Sequence, residues 1–389
     1  MKATWSYPTR IVFGAGSRSA LAREAGELGM TRPLLVTDPG LKDLPFVREI
    51  LELLAEAGRP AALFHDVKPN PLIENVEAGV AAYRRGGHDG VICLGGGSAM
   101  DCGKTIAFMV AQSLRLWHFE DVGSNWRDAA TEGIAPIVAI PTTAGTGSEV
   151  GRAGVIGDHK AGFKKIIFHP KMLPGVVIED PELTVGLPPG LTAATGFDAL
   201  AHCLEAYAAP SFHPMGDGIA VEGIRLIKAF LPRAVADGGD VEARGQMLVA
   251  ASMGAVAFQK GLGAIHSLSH AVGALFDTHH GRTNAVMMPY VLAFNRAQIE
   301  EKMDRLAAYL GLNGGYVGFF DWMMALRGDL GIEHSLASLI GERDLQEERV
   351  VALSVGDPTA ASNPRPLDAA AAARLYEAAL SGSLSGLSD

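Results

Sequence analysis

The sequence predicts two domains of different class, an α/β domain built on a parallel sheet followed by an all-helical domain. Three observations carry this. Short apolar runs alternate with helical patterns through the first half, apolar residues then recur at helical spacing with no clear strand, and Leu187-Pro188-Pro189-Gly190 interrupts both textures. A chain of 389 residues is long enough for two domains that each bury a core. The expected division is 1–187 and 188–389.

Taken in order, the apolar runs are RIVF at Arg10–Phe13, LLVTD ending at Asp38, AALFHD ending at Asp66, GVICLGGGS ending at Ser98 and PIVAIPTT ending at Thr143. They are rich in Val, Ile and Leu and are closed by Gly, Pro or Asp, as strands buried on both faces require where the next loop turns. Ligand-contacting loops are expected at those strand ends. In the second half, helices are expected over 223–235, 242–258 and 299–311. The Ala-rich run 369–380 reads as a terminal helix in which Leu375 and Leu380 dock.

Hydrophobic residues make up 48% and charged residues 20% of the chain, which excludes disorder and a fibrous architecture. A net charge of -10 with scattered basic residues argues against nucleic-acid and anionic-membrane partners. The start lacks the apolar stretch of a secretory signal and no long uninterrupted apolar run follows, so a cytoplasmic location is expected. Cys93, Cys102 and Cys203 are too few for a disulfide framework or a thiolate zinc site, so any metal is held by nitrogen and oxygen.

Gly95-Gly96-Gly97-Ser98 follows the strand GVICL and precedes Asp101 and Lys104 on a helix-like stretch. Glycines there let backbone amides approach a pyrophosphate at a helix N-terminus, though a plain turn uses the same residues, and the spacing is not the three-glycine fingerprint of dinucleotide folds. Pro141 to Glu149 packs four hydroxyls and two glycines into nine residues. That composition suits a phosphate or a ribose, and equally a polar loop capping the next element. Asp38 ends its strand where a carboxylate can accept from ribose hydroxyls, and it also begins the turn Asp38-Pro39-Gly40.

Asp198 and His202 stand four apart in a helical stretch and share a face, a spacing that serves one ion or a surface hydrogen bond. His266 and His270 are one turn apart, and His279 and His280 precede Gly281, which is expected to end a helix or turn. Clustered His and Asp without cysteine suit Fe²⁺ or Zn²⁺, against the alternative of packing and capping histidines.

Together these segments resemble the iron-containing (group III) alcohol dehydrogenase family, in the dehydroquinate synthase-like superfamily. The resemblance runs nearly end to end. Its motifs are Pro8-Thr9-Arg10-Ile11-Val12-Phe13-Gly14, Pro69-Asn70-Pro71, Gly95 to Ser98 with Asp101 and Lys104, and the specific Pro141–Glu149 loop. It continues through Asp180-Pro181-Glu182-Leu183, Thr195 to His202 with Glu205, and Asn363-Pro364-Arg365-Pro366.

The resemblance implies a Rossmann-like dinucleotide-binding domain and a helical metal-binding and substrate domain. It implies hydride exchange between the C4 atom of NAD's nicotinamide and a metal-bound primary alcohol or aldehyde. Asp198, His202, His266 and His280 are then the ligands of Fe²⁺, with Zn²⁺ as the other ion considered, and His280 is chosen over His279 by the pattern His280-Gly281-Arg282-Thr283-Asn284-Ala285. His270 is left as the catalytic, proton-handling residue. The implied cofactor contacts are Asp38, Pro69, Asn70, Gly96, Gly97, Ser98, Asp101, Thr142, Thr143, Thr146 and Lys165, with Lys164 in the adjacent register. A small-molecule substrate and a homodimer or higher homo-oligomer are implied as partners. Rival readings are a maleylacetate reductase-like or dehydroquinate synthase-like enzyme on the same fold, and a non-catalytic metal- or nucleotide-binding protein. Two stretches depart from the family pattern, Gly151-Arg152-Ala153 and the 18-residue segment 116–133 with Trp117 and Trp126.

Overall fold

The computed structural model describes residues 5–7, 9–159, 163–341 and 343–387, so Pro8 of the opening motif lies outside the described residues. By its internal contacts the chain divides into two compact units, Tyr7–Leu187 and one that begins at Pro188 and takes in Ser6.

The first unit begins with β1 (Arg10–Phe13), α1 (Leu21–Glu27), β2 (Leu34–Val36), α2 (Pro45–Glu56) and β3 (Ala62–Phe64). It continues with α3 (Ile73–Gly86), β4 (Val91–Gly95), α4 (Gly97–Met109), β5 (Ile137–Pro141), β6 (Ala153–Asp158), β7 (Phe163–Phe168) and β8 (Val176–Glu179). Six strands form one parallel sheet in the order β1-β8-β5-β4-β2-β3, while β6 and β7 pair as an antiparallel hairpin. Every residue of β4, β5 and β8 is buried, which is why these strands read as continuous apolar runs. Leu35, Ile92, Leu94, Val138, Ile140 and Ile178 pack with Leu21 of α1 and with Val47, Ile50 and Leu54 of α2.

Three strands go beyond the five expected from the sequence. β8 has only four residues and sits between β1 and β5, and the β6–β7 hairpin interrupts its apolar pattern with Lys164 and Lys165. The unusual segment 116–133 holds two short 3-10 turns, Leu116–Phe119 and Asn125–Asp128. It lies against the hairpin: Glu120 bridges to Ile167, and Trp126 meets the Phe168 ring edge-on at 5.9 Å.

Among the described residues the second unit holds only helices: α5 (Pro189–Ala208), α6 (Pro214–Ala236), α7 (Val241–Ala257), α8 (Ala264–Phe276), α9 (His280–Tyr309), α10 (Gly315–Asp329), α11 (Leu336–Ile340), α12 (Glu347–Gly356) and α13 (Ala369–Ser381). The prolines of the Leu187–Gly190 break open α5, with Pro188 as N-cap and Pro189 at the first helical position, where no amide hydrogen is missed. α5 is buried along nearly its whole length and packs against α6, α7 and α9, so it is the axis of this unit. In α13, Leu375 is fully buried and Leu380 half-buried. No single described helix is long and apolar enough to cross a membrane; Val241–Lys260 and Ala264–Phe276 reach that length only jointly, across a 106° bend.

Candidate functional site

The helical unit gathers one carboxylate and three imidazoles. α5 projects Asp198 and His202 from successive turns, α8 supplies His266, and His280 is the first residue of α9. Asp198 Oδ1 lies 3.9 Å from His202 Nε2, 3.8 Å from His266 Nε2 and 3.4 Å from His280 Nε2. The ligand atoms of Asp198, His202 and His266 all fall within 4.8 Å of one another. Donors bound at 2.0–2.2 Å to one tetrahedral ion stand roughly 3.3–3.6 Å apart, so a small contraction brings this set to coordination distance.

Gly281 does not end a helix, as its position after two histidines suggested. α8 instead stops at Phe276, with Asp277 left-handed at φ 54°, and His280 and Gly281 open α9. A Cβ on Gly281 would come within 2.2 Å of the Ala194 carbonyl oxygen of α5. Glycine is needed there for the close backbone approach that brings His280 to Asp198.

Three side chains that sequence reasoning did not assign hold the cluster. Glu205, two turns beyond Asp198 on α5, accepts from His266 Nδ1 at 2.6 Å through one oxygen and from the Ile265 amide at 2.6 Å through the other. Asn284, one turn into α9, donates through Nδ2 to Asp198 Oδ1 at 2.8 Å. Asn363, from the Asn363–Pro366 motif, accepts from the Ala264 amide at 3.1 Å and pairs amide to amide with Asn295, fixing the start of α8.

Burial alone would raise the Asp198 carboxyl; His202, His280 and His266 outweigh it and hold it well below the ordinary carboxylate range. Burial likewise pushes His266 down, but Asp198 and Glu205 pull it up to about 9. Buried carboxylates that favour a proton on imidazole favour any other cation placed among them.

His270, one turn beyond His266, is not turned into the cluster by its Nδ1. That nitrogen lies 2.9 Å from Asp357 Oδ2, and the ring stacks on His280 at 5.2 Å. Asp357 Oδ1 accepts from the Thr359 amide at 2.9 Å and the Thr359 hydroxyl at 2.6 Å, so the carboxylate is fixed before it meets the histidine.

The residues singled out for a cofactor lie in the α/β unit at the carboxyl ends of its strands. β2 and β4 are neighbours at the point where strand order reverses, and on the other side of β4 the Thr142 amide, at the end of β5, donates to Gly95 O at 2.9 Å. Gly95 has φ 146°, and a Cβ on Gly97 would lie 2.7 Å from Thr146 Cγ2, so glycine is what lets the two loops touch. Thr143 stands beside Gly96 in the same way. The Ser98 hydroxyl donates to Pro69 O, which ties the start of α4 to the Pro69–Pro71 turn. Asp38 accepts from the Gly40 amide at 2.9 Å, as a turn residue does, while its other oxygen faces Gly95.

Two of the residues assigned to the cofactor are placed differently. Asp101 spends its oxygens inside the protein, on the Ser148 hydroxyl at 2.5 Å and the Val155 amide at 3.1 Å, beside the buried ammonium of Lys104. Lys104 in turn donates to Ser148 O at 2.8 Å and to Ala153 O, so this pair braces the hydroxyl-rich loop. Lys165 pairs with Glu120 at 3.1 Å and Asp158 at 3.4 Å and lies over the Trp117 ring. Successive residues of a strand point to opposite faces, and Lys164 is the one that donates to Asn70 Oδ1, at 2.8 Å.

Comparison with known proteins identifies the family. Residues 8–181 match the family described as iron-containing alcohol dehydrogenase, and residues 192–380 match its C-terminal domain. The chain is 38% identical over 385 residues to 4-hydroxybutyrate dehydrogenase of Cupriavidus necator, covering 95% of this chain and 98% of that one. Its fold is similar to the crystal structure of 1,3-propanediol oxidoreductase, with TM-score 0.92, 35% identity, and coverage of 97% and 100%. It is also similar to sulfoacetaldehyde reductase from Bifidobacterium kashiwanohense in complex with NAD+, with TM-score 0.89, 27% identity, and coverage of 99% and 100%. The chain belongs to the iron-containing alcohol dehydrogenase family, whose cofactors are NAD and iron, and is an oxidoreductase acting on CH–OH groups.

Proposed function

We propose that the protein interconverts a primary alcohol and its aldehyde, with Asp198, His202, His266 and His280 as the ligands of one divalent ion. The convergence of the three Nε2 atoms on Asp198 Oδ1 carries this reading. The donor set fits the group: one carboxylate and imidazole nitrogens without thiolate suit Fe²⁺ and also Zn²⁺. Glu205 supports it further, because an Nδ1–H held by a carboxylate leaves Nε2 as the lone pair that meets a cation. When bound, the ion supplies Lewis-acid stabilisation of an alcohol or carbonyl oxygen and NAD accepts or returns the hydride.

The chain's own residues do the rest. The Gly95–Ser98 and Thr142–Thr146 loops present amides and hydroxyls to the cofactor's phosphates and ribose, with Asp38 and Asn70 beside them and Lys164 as the accompanying cation. Asp101 and Lys104 hold those loops from behind. His270, oriented by Asp357, exchanges the substrate proton through Nε2. The relatives' names support a terminal hydroxyl: 4-hydroxybutyrate and 1,3-propanediol are both primary alcohols. A cytoplasmic location accords with three buried free cysteines, and assembly of at least two copies accords with β1 being an edge strand whose Phe13 is half exposed.

The test is NADH oxidation by protein stripped of metal and reloaded with Fe²⁺ or Zn²⁺, with succinic semialdehyde, 3-hydroxypropanal and other short aldehydes as substrates. Metal-dependent consumption of NADH is the expected result. No turnover under either ion overturns the proposal.

A further inference from the structure

Asn284 is fully buried, and its amide nitrogen touches three proposed ligand atoms at once: Asp198 Oδ1 at 2.8 Å, His280 Nε2 at 3.2 Å and His266 Nε2 at 3.3 Å. Its Oδ1 is buried with no hydrogen-bond partner among the described residues. The amide orientation follows from chemistry. Turned over, the oxygen would face a carboxylate oxygen at 2.8 Å, acceptor against acceptor, so Nδ2 is the atom that faces the cluster.

The three contacts are not equivalent. An imidazole Nε2 has one in-plane lone pair, which serves an N–H donor or a cation but not both. A carboxylate oxygen has room for two partners. With an ion among the ligands, the contact that persists is therefore Asn284 Nδ2–H to Asp198 Oδ1. That bond fixes the rotation of the carboxylate, on which the distances to all three imidazoles depend. An amide that met the ion through its own oxygen would have to give it up.

We infer that Asn284 is a positioning residue of the metal centre, which holds Asp198 in coordinating geometry through its amide hydrogen and stays outside the ion's own shell. The inference rests on Asp198, His202, His266 and His280 being the ligands. It assigns to the asparagine of the His280–Ala285 stretch a task that neither spacing nor the ligand set discloses. Its neighbour Gly281, one turn earlier, sets the approach of α9; Asn284 converts that approach into an oriented carboxylate.

The experiment loads full-length Asn284→Leu, Asn284→Ala and wild-type protein with Co²⁺ and follows affinity by competition with a chelator and coordination by visible absorption. Loss of an outer-layer partner typically weakens metal binding by roughly 10–100-fold, and that loss is expected here with the Co²⁺ band positions and intensities unchanged. Unaltered affinity in a folded variant overturns the inference. So does a band pattern showing a changed coordination number, because the asparagine would then be a ligand. Should both variants fail to fold, the crystal structure of Co²⁺-loaded wild type decides: the Asn284–Asp198 hydrogen bond is expected with the amide outside coordinating distance, and an amide oxygen bound to the ion overturns it. Asp198→Ala serves as control. If it too binds Co²⁺ as wild type does, the ligand assignment has failed rather than the role of Asn284.

Discussion

Glu205 and His266 are joined across 61 positions of sequence by a 2.6 Å hydrogen bond that decides which ring nitrogen of the histidine faces the cluster. The same carboxylate accepts from the Ile265 amide, so one side chain of α5 sets both the tautomer of His266 and the start of α8. Glu205→Ala is expected to weaken metal binding by roughly 10–100-fold. Glu205→Gln, whose side-chain oxygen can still accept, should lose less. Metal content after dialysis against a graded chelator measures both; equal retention in all three proteins would assign Glu205 to folding alone.

Gly281→Ala places a methyl group 2.2 Å from the Ala194 carbonyl oxygen, a backbone atom that cannot rotate away. Overpacking of this kind costs about 1–3 kcal/mol. Because the displaced helix carries His280, loss of bound metal should accompany the loss of stability. Urea denaturation of the metal-loaded and metal-stripped proteins separates the two effects: the variant should be destabilised in both and gain less from metal than wild type gains.

Much of this arrangement was legible in the sequence, and the missed parts share a cause. Helical spacing puts Asp198 and His202 on one face, and glycine and hydroxyl density after buried strands marks the two proposed cofactor loops, but each pattern alone also fits a bland role and only their joint resemblance to the family assigns them. Glu205 to His266, Asp357 to His270 and Asn284 to Asp198 span 61, 87 and 86 positions, and no local pattern encodes such pairings. Gly281 was misread because glycine ends helices far more visibly than it permits two helices to touch. β8 was missed because four apolar residues carry almost no periodicity, and only the sheet's need for a strand between β1 and β5 gives them a role.

The neighbours Lys164 and Lys165 offer a direct comparison. Lys164 meets Asn70 beside the proposed cofactor loops, whereas Lys165 is engaged with Glu120 and Asp158 on the opposite face of the hairpin. A charged hydrogen bond is worth about 1.5–3 kcal/mol, so Lys164→Ala should raise the KM for NAD at least about tenfold. Lys165→Ala should leave that KM unchanged and lower stability instead, because it removes the cation faced by two largely shielded carboxylates, Glu120 and Asp158. The reverse ranking would restore Lys165 as the cofactor-side lysine.

His270 and Asp357 form a dyad in which the carboxylate accepts a hydrogen bond from Nδ1–H, leaving Nε2 as the nitrogen proposed to exchange a proton with substrate. Asp357 is itself anchored by the amide and hydroxyl of Thr359, so the histidine ring is held by a group that does not move with it. If the dyad handles the substrate proton, His270→Ala should lower kcat by about 100-fold or more while the bound metal stays stoichiometric. Asp357→Asn keeps the shape but offers the ring an amide, and should lower kcat by a smaller factor, again with metal retained. A positioning residue acts only through its partner, so adding Asp357→Asn to His270→Ala should cost nothing further. Steady-state kinetics on the four proteins, with metal analysis alongside, completes the cycle. Additive losses would mean that Asp357 contributes by another route, and loss of metal from His270→Ala would move that histidine into the ligand set.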